Sequence, residues 1–516
     1  MTLSSRRQFF KQAGSVASYA LMCQRGVGKA QSRTNPSPIQ FASDKIVFCD
    51  WWFIEAGYGL RRDPSETTKD ANRPKFMPYG VRLRSSKPFF SDRAIILPDS
   101  SADGSMLGAY STLLNDKGIY RLWYETYQVA GQADEYAQIC YAESEDGLTW
   151  KKPNLALFEH QGTTNNNLVY KHGHGATIFI DPAAKPGERY KMIHLDRVPP
   201  QLINGKLLDA FVFGAVSPDG IHWQRLPEPL LKHTSDTQSV AAYDVVTGKY
   251  VAYLRGWDPQ TQAGYGGRRV VVRTESSTFG NFPEPEIVLA LGPENPPDED
   301  IYTSAYQQWP GAKQAHIMIP AIYHRASDRV DLQLALSHDG VRWHFPQGQP
   351  FICDGAPGSG YEGAIYAGCG TVKIANGMWA FPVSRYGRSH NMDFQPSKEH
   401  PREGSIWLAM LREDGFITLD AESDGEFWTQ PAAFDGSRLL INCWGLTGAR
   451  VAIELTDVQG KPFEGYSLAD CDGLYGEHLW SPITWRGKSS VAAFRGKLVR
   501  IRFSLRRVRL YAFRFA

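Results

Sequence analysis

The sequence predicts an all-β protein, with a five-bladed β-propeller followed by a C-terminal β-sandwich. Three observations predict this fold. The 48 Gly, 24 Tyr and 14 Trp among 516 residues favour short strands and tight turns over long helices. One turn motif recurs along most of the chain at a period of about sixty residues, as expected of radially repeated sheets. The last part of the chain lacks that motif and instead shows strands that alternate between apolar and polar side chains.

Composition and charge exclude several other classes of protein. The 42% of hydrophobic residues is close to the globular average, which disfavours a disordered chain. The 56 basic and 54 acidic side chains nearly cancel, so a general nucleic-acid-binding surface is disfavoured as well. The best apolar run, from Ala13 to Cys23, is shorter than the roughly 20 residues that cross a bilayer. We therefore expect no stable membrane insertion.

The first thirty residues predict an export signal. The segment SRRQFFK at 5–11 contains an arginine pair, a weakly apolar stretch follows from Ala13 to Met22, and Gly28-Lys29-Ala30 offers a small-residue cleavage site. We expect residues 1–30 to be a twin-arginine signal peptide, followed by a linker over 31–44. The mature protein would then be periplasmic or extracellular, where Cys443 and Cys471 form a candidate disulfide.

The recurring turn has the pattern Ser-x-Asp-Gly-x-x-Trp. It occurs at Ser144–Trp150, Ser217–Trp223 and Ser337–Trp343, with eroded copies at 274–279 and 412–416. The Asp-Gly pair is typical of a tight turn, and we expect the Trp to pack back on a neighbouring sheet. We interpret this motif as structural.

Between these turns the same order of strands repeats, and each unit is predicted to be one blade. The predicted inner and second strands are 107–114 and 120–124, 176–180 and 190–193, 239–243 and 250–254, 303–307 and 316–319, and 364–368 and 378–383. Five blades then occupy residues 45–420, and residues 421–516 form the sandwich. Two stacked sandwiches are the alternative, but they would not repeat one hairpin at a fixed period.

Candidate catalytic residues follow from placing the blades in register. Asp236, Asp300 and Glu362 fall at matching positions just before the inner strands of three consecutive blades. In a propeller these positions converge on a central funnel. Carboxylates placed together there repel one another, which raises at least one pKa and provides an acid beside a base. Glycoside hydrolysis requires such a pair.

The order of elements, the period and the following sandwich resemble glycoside hydrolase families 32 and 43, with a family-32-like C-terminal sandwich. In those families an acid in blade one is the nucleophile or base, an Asp about two blades later stabilises the transition state, and the next blade supplies the proton donor. Asp236 in Ser235-Asp236-Thr237 is similar to the family's Arg-Asp-Pro strand, although the Arg and Pro are missing. The resemblance then implies Asp300 as the proton donor, with Glu299 as its substitute.

The family's first-blade motif, an Asp in a Trp-Met-Asn-Asp-Pro context, is not present at Gly108. Asp103 and Glu362 are the candidates to replace that acid. Further side chains are expected to bind sugar through charge, hydrogen bonds or aromatic stacking, namely His174, Arg255, Trp257, Tyr302, Arg385 and His390, together with Asp103 and Glu299.

The predicted function is an exported glycoside hydrolase that acts on a polysaccharide or oligosaccharide through funnel carboxylates. We expect no organic cofactor and no catalytic metal, and a structural calcium ion in the funnel is compatible with the sequence. Two alternatives stay open. A carbohydrate-binding propeller without catalysis accounts for the missing first-blade acid, and a sialidase-like enzyme would need a Tyr nucleophile and an Arg cluster.

Overall fold

A computed structural model describes residues 39–41, 45–55, 76–127, 137–258, 267–346, 350–356, 359–392 and 402–516. Within these ranges the protein is all-β, as predicted, and its helical elements are three 3-10 turns at Ser101–Asp103, Pro186–Glu188 and Ala492–Phe494. No helix in the described part of the chain is long and apolar enough to span a bilayer. The predicted signal peptide, residues 1–30, lies outside the described residues.

The first four strands do not form a blade of their own. They are β1 (Ile39–Phe41), β2 (Lys45–Val47), β3 (Arg82–Ser85) and β4 (Phe89–Phe90). Each pairs with a strand from much later in the chain, so the two ends of the described sequence are joined by hydrogen bonds.

Blades one to three are antiparallel sheets of four strands each. Blade one contains β5 (Met106–Asp116), β6 (Ile119–Tyr127), β7 (Ala137–Ser144) and β8 (Leu168–Lys171). Blade two contains β9 (His174–Ile180), β10 (Tyr190–Ile203), β11 (Lys206–Ser217) and β12 (Gln224–Arg225). Blade three contains β13 (Val240–Asp244), β14 (Lys249–Asp258), β15 (Arg268–Ser276) and β16 (Glu286–Leu289). The predicted inner and second strands of these blades are confirmed.

Blade four has interrupted strands, because its inner, second and third strands are each split in two. They are β17 (Glu299–Thr303) and β18 (Gln307–Gln308), β19 (His316–Met318) and β20 (Ala321–His324), and β21 (Arg329–Leu332) and β22 (Ala335–Ser337). The inner strand therefore starts earlier than the predicted 303–307. Asp300 lies inside β17 and not ahead of it.

Blade five closes the ring. It contains β23 (Ala364–Ala367), β24 (Val372–Lys373), β25 (Trp379–Tyr386) and β26 (Ser405–Leu411), and β4 from the start of the chain adds its outer strand. The inner strand of blade one lies beside blade five, because Cys369 N donates to the carbonyl of Ser111 at 2.8 Å. Blades one and five are thus neighbours, which completes a propeller of five blades.

The C-terminal sandwich is built around one large antiparallel sheet. Its strands are β27 (Ile417–Trp428), β28 (Ala432–Phe434), β29 (Leu439–Thr456), β30 (His478–Pro482) and β31 (Arg500–Phe515). The sheet order is β3-β27-β31-β29-β30 with β2 also paired to β31, while β1 pairs with β28. Residues 39–41, 45–47 and 82–85, placed by the sequence in the linker and the propeller, thus pair with strands of the C-terminal unit.

The recurring turn forms in the same way in all three copies. In the first copy, Ser144 Oγ accepts the N–H of Gly147 at 2.8 Å, and Gly147 has a φ of +77° that favours glycine. The indole of Trp150 donates to the carbonyl of Gly147 at 3.1 Å. In the other copies the turn also accepts a bond from the preceding blade, as when Trp123 Nε1 donates to the carbonyl of Gly220 at 2.7 Å. The motif therefore joins neighbouring blades, and the expected packing of its Trp is seen where the ring of Trp343 lies 6.0 Å from that of Tyr253 in blade three.

The candidate disulfide is wrong. Cys443 and Cys471 are both buried free thiols, as are the other described cysteines except the exposed Cys353. Cys471 Sγ instead accepts the N–H of Ile453 at 3.3 Å, and burial raises the pKa of both thiols.

Candidate funnel site

The funnel site is centred on Asp236, which lies just before the inner strand of blade three. Its carboxylate is 43% exposed and has contacts on both oxygens. His174 Nε2 lies 3.4 Å from Oδ1, and Arg255 donates to Oδ2 at 3.4 Å. A carboxylate just ahead of an inner strand, with part of its surface exposed, is accessible to a ligand.

His174 connects Asp236 to a second carboxylate, that of Glu125. The imidazole Nδ1 lies 2.8 Å from Glu125 Oε1, while the N–H of Gly175 donates to Oε2 at 2.8 Å. The side chain of Glu125 is fully buried and that of His174 is 5% exposed. Glu125, His174 and Asp236, which we call the acid–imidazole chain, thus run from the protein interior to the funnel surface.

Two glycines make this approach possible. A Cβ on Gly108 would lie 2.8 Å from Glu125 Cβ, and a Cβ on Gly175 would lie 2.1 Å from the carbonyl oxygen of Thr237. Gly175 also has a φ of +64°. Both positions therefore need a residue without a side chain if blades one, two and three are to meet at the site.

The surroundings of Asp236 hold it as an anion. Burial alone would raise the pKa of this carboxyl, but the hydrogen bond from His174 and the charges of Arg255 and Arg269 outweigh it and lower the pKa to about 2. The acid beside a base expected from carboxylate repulsion is not found at Asp236, because cations surround it.

A wall of stacked arginine and aromatic groups lies next to Asp236. The guanidinium of Arg255 lies 4.3 Å from the ring centre of Tyr302, and that of Arg269 lies 5.2 Å from the same ring and 5.0 Å from that of Trp257. Arg255 also donates to the carbonyl of Tyr302 at 3.2 Å. Tyr302 and Trp257 are partly exposed, so this cation–π stack presents aromatic surface beside Asp236.

Asp300 lies behind this wall with its side chain fully buried. Arg269 donates to it from the backbone at 2.9 Å and from the guanidinium at 2.7 Å, and Arg325 binds both oxygens at 2.7 and 2.8 Å. Burial opposes ionisation, but the bonds from Arg325 and Arg269 outweigh it and keep the pKa of Asp300 below its ordinary value. This carboxylate is an anchor for Arg269 in the structure.

His390 adds a neutral imidazole to the same region. Its ring lies 4.4 Å from that of Tyr302, and its Nδ1 is 2.6 Å from the hydroxyl of Tyr366. Burial lowers the pKa of His390 to about 4, and the positive charges of Arg255 and Arg269 act in the same direction. The predicted residues His174, Arg255, Trp257, Tyr302 and His390 are thus connected to Asp236 by direct or shared contacts.

The other predicted site residues have their contacts elsewhere. Asp103 is buried within blade one, where it accepts bonds from Tyr124 and Lys152 at 2.9 and 2.8 Å. Arg385 stacks 4.2 Å from the ring of Tyr361 on blade five. Glu299, partly exposed in β17, lies 3.5 Å from His324.

Glu362 is partly exposed just before β23. Ser359 Oγ lies 3.5 Å from its carboxylate, and Arg329 donates to its carbonyl at 2.7 Å. The adjacent Gly363 packs on the carbonyl of Arg388, in the segment that leads to His390. The role of Glu362 stays a prediction.

Two residues of the site, Glu125 and Arg269, were not predicted from the sequence. The signal for Glu125 was a single carboxylate in the mainly apolar and aromatic run 122–127. The first-blade acid expected at Gly108 is absent, and Glu125 of the next strand, β6, lies against Gly108 instead. A side chain at position 108 would collide with Glu125. No group of three or more His, Cys, Asp or Glu side chains suited to a metal ion occurs among the described residues.

No known protein family and no curated protein matches the sequence. Solved structures to which the chain is similar include a glycoside hydrolase (14% identity, TM-score 0.43, 64% of this chain and 92% of that one). A second is an N-acetylgalactosamine deacetylase from F. plautii in complex with blood group B trisaccharide (16% identity, TM-score 0.40, 64% of this chain and 95% of that one). A third is a family 43 arabinoxylan arabinofuranohydrolase from Bacillus subtilis in complex with cellotetraose (10% identity, TM-score 0.39, 82% of this chain and 98% of that one).

These similarities, family 43 included, are distant. At these scores they carry no activity over to this chain, and the propeller is supported by the sheet order together with the contact between blades one and five. The likeness of the C-terminal sandwich to family 32 stays a prediction.

Proposed function

We propose that the protein is a glycoside hydrolase whose funnel binds a carbohydrate and cleaves a glycosidic bond with Asp236 as the ionised carboxylate. The observation that supports this proposal is the partial exposure of an anion at the funnel, beside an aromatic and arginine wall. In glycoside hydrolysis such a carboxylate acts as a base towards water or as a nucleophile towards the anomeric carbon.

The proton donor is proposed to be Glu362, and Asp300 is proposed to position Arg269. Asp300 is less suited to donate a proton because guanidinium groups bind both of its oxygens, which favours the ionised form. Glu362 is partly exposed, and the adjacent Gly363 packs on the carbonyl of Arg388, two residues before His390. Export through the twin-arginine route is part of the proposal and rests on residues 1–30 of the sequence.

Activity measurements on a panel of 4-nitrophenyl glycosides and plant, algal and microbial polysaccharides test the proposed reaction. Asp236→Asn and Glu362→Gln should each abolish most of the turnover found with the wild type. Asp209→Asn is the matched control, since Asp209 pairs with Arg197 at 2.8 Å on the exposed hairpin of blade two. If Asp236→Asn retains full activity, the proposed site is wrong.

A carbohydrate-binding propeller without catalysis is the second candidate. It is favoured by the state of Asp300, because Arg269 and Arg325 bind its carboxylate. One carboxylate fewer is then available for acid–base chemistry at the site. Isothermal titration with the same polysaccharides separates the two functions, because binding without any turnover in the wild type supports the second.

A further inference from the structure

The acid–imidazole chain places one imidazole between two carboxylates. His174 Nδ1 is 2.8 Å from Glu125, and His174 Nε2 is 3.4 Å from Asp236. A neutral imidazole has one N–H and one lone pair, so it can donate to only one carboxylate while its lone pair faces the other. A stable arrangement therefore needs an additional proton on the imidazole or on one of the carboxyl groups.

The other contacts of the two carboxylates decide where that proton resides. The second oxygen of Glu125 accepts the N–H of Gly175, and the second oxygen of Asp236 accepts a guanidinium N–H of Arg255. Hydrogen bonds donated to a carboxylate favour its ionised form. Both acids are therefore stabilised as anions, which leaves the imidazole as the group that carries the proton.

The groups that face the imidazole are compatible with this charge. Glu125 and Tyr127 face it from β6, Tyr110 from β5, and Asp236, with Arg255 of β14 beyond it, from the segment before β13. The rings of Tyr110 and Tyr127 lie 5.6 and 6.5 Å from the imidazole ring. Two carboxylates contact the imidazole, at 2.8 and 3.4 Å, whereas the guanidinium of Arg255 binds the other oxygen of Asp236, and this arrangement favours a cation.

We propose that His174 carries a proton on both ring nitrogens and forms a buried cation between Glu125 and Asp236. The pair of Glu125 and His174 then positions Asp236 and keeps it anionic at the funnel surface. The charge of His174 can be measured without a ligand in the funnel. Its effect on turnover rests on the proposed function.

Nuclear magnetic resonance of the full chain labelled with 15N-histidine tests the charge directly and without substrate. The signals of His174 are assigned by their loss in His174→Gln. At pH 7.5 we expect both ring nitrogens of His174 in the wild type to be protonated. A singly protonated His174 at this pH would overturn the proposal.

Glu125→Gln removes the buried anion and should leave His174 with a single proton at pH 7.5. Glu143→Gln is the matched control, because Glu143 lies in the same blade and accepts the hydroxyl of Tyr141 at 3.0 Å without contacting His174. The control should keep the imidazolium. An unchanged doubly protonated His174 in Glu125→Gln would contradict the pairing, and if that variant does not fold, the wild-type spectrum decides alone.

The pH dependence of turnover provides the readout of positioning. In His174→Gln the acid limb of kcat/KM should move from near pH 2 towards 3.8, because Asp236 loses a cationic neighbour. We expect Glu125→Gln to lower kcat/KM by about 10²-fold through loss of position. Turnover without any shift of the acid limb would reject the positioning role and leave the glycosidase proposal intact. A doubly protonated His174 in a protein without turnover would support the charge of His174 and reject the glycosidase proposal.

Discussion

Asp236 and Asp300 mark two regions that the sequence predicts to be equivalent and that the structure makes different. Both lie at the start of an inner strand, in neighbouring blades, and both pair with arginine. Asp236 is 43% exposed with contacts at 3.4 Å, whereas Asp300 is fully buried with contacts between 2.7 and 2.9 Å. The position of a residue in the blade repeat therefore places a carboxylate at the funnel. It does not determine whether that carboxylate contacts a ligand or binds the arginine side chains next to it.

Asp236 and Asp300 differ in the number of guanidinium groups that each carboxylate binds. Arg255 shares its charge between Asp236 and the carbonyl of Tyr302, so one side of Asp236 stays open. Asp300 binds two guanidinium groups and a backbone N–H, which leaves no oxygen for a substrate. A buried anion paired in this way fixes its cations in place.

The largest effect is expected for Asp236→Asn on turnover. Loss of the ionised carboxylate should reduce kcat/KM by about 10²- to 10⁴-fold, the usual cost of removing an acid–base group. The unfolding free energy should change less than in Asp300→Asn, because Asp236 is partly exposed. Steady-state kinetics and urea unfolding of the same preparations measure both quantities.

Asp300→Asn should mainly reduce stability. Removal of this anion leaves Arg269 and Arg325 beside a neutral amide, and breaking a buried ion pair in this way costs about 3 to 5 kcal/mol. Urea denaturation with a tryptophan fluorescence readout measures the loss. A variant as stable as the wild type but fully inactive would assign Asp300 to catalysis and remove the contrast with Asp236.

The two arginines on Asp300 provide a finer comparison. Arg269→Gln should lower the unfolding free energy by about 1 to 3 kcal/mol, the cost of hydrogen bonds to a charged group, and Arg325→Gln by less because that side chain is 42% exposed. Arg269 also lowers the pKa of Asp236, so Arg269→Gln should move the acid limb of kcat/KM to higher pH. An equal shift of that limb in both variants would contradict this division of roles.

The smallest effect is expected in the acid dependence of stability. The folded-state pKa values of Asp236 and Asp300 lie below their ordinary value of 3.8, so their stabilisation is present above pH 3.8 and is lost as pH falls through the lowered values. Asp300→Asn should flatten the loss of stability between pH 5 and 2. Asp236→Asn should flatten it less, because exposure screens its charge. Urea unfolding at stepped pH gives both slopes.

Much of the fold could be predicted from local sequence patterns. The Ser-x-Asp-Gly-x-x-Trp turn places a glycine where φ is positive, and the alternating strands predicted for the tail are present, for example in the long strand β29. Such features depend on neighbouring residues alone. The pairing of β2 and β3 with tail strands was not predicted, since short strands carry no local sign of a partner hundreds of residues away.

The sequence by itself determined the number of blades, the position of their turns and the presence of Asp236 at the mouth of an inner strand. Only the tertiary structure decided that Glu125, from the second strand of blade one, supports His174 of blade two and through it Asp236 of blade three. The period of a repeat is a local property of hydrophobic pattern and turn chemistry. The charge state and exposure of a carboxylate depend on the donors that other blades bring within hydrogen-bond distance, and these are set by packing.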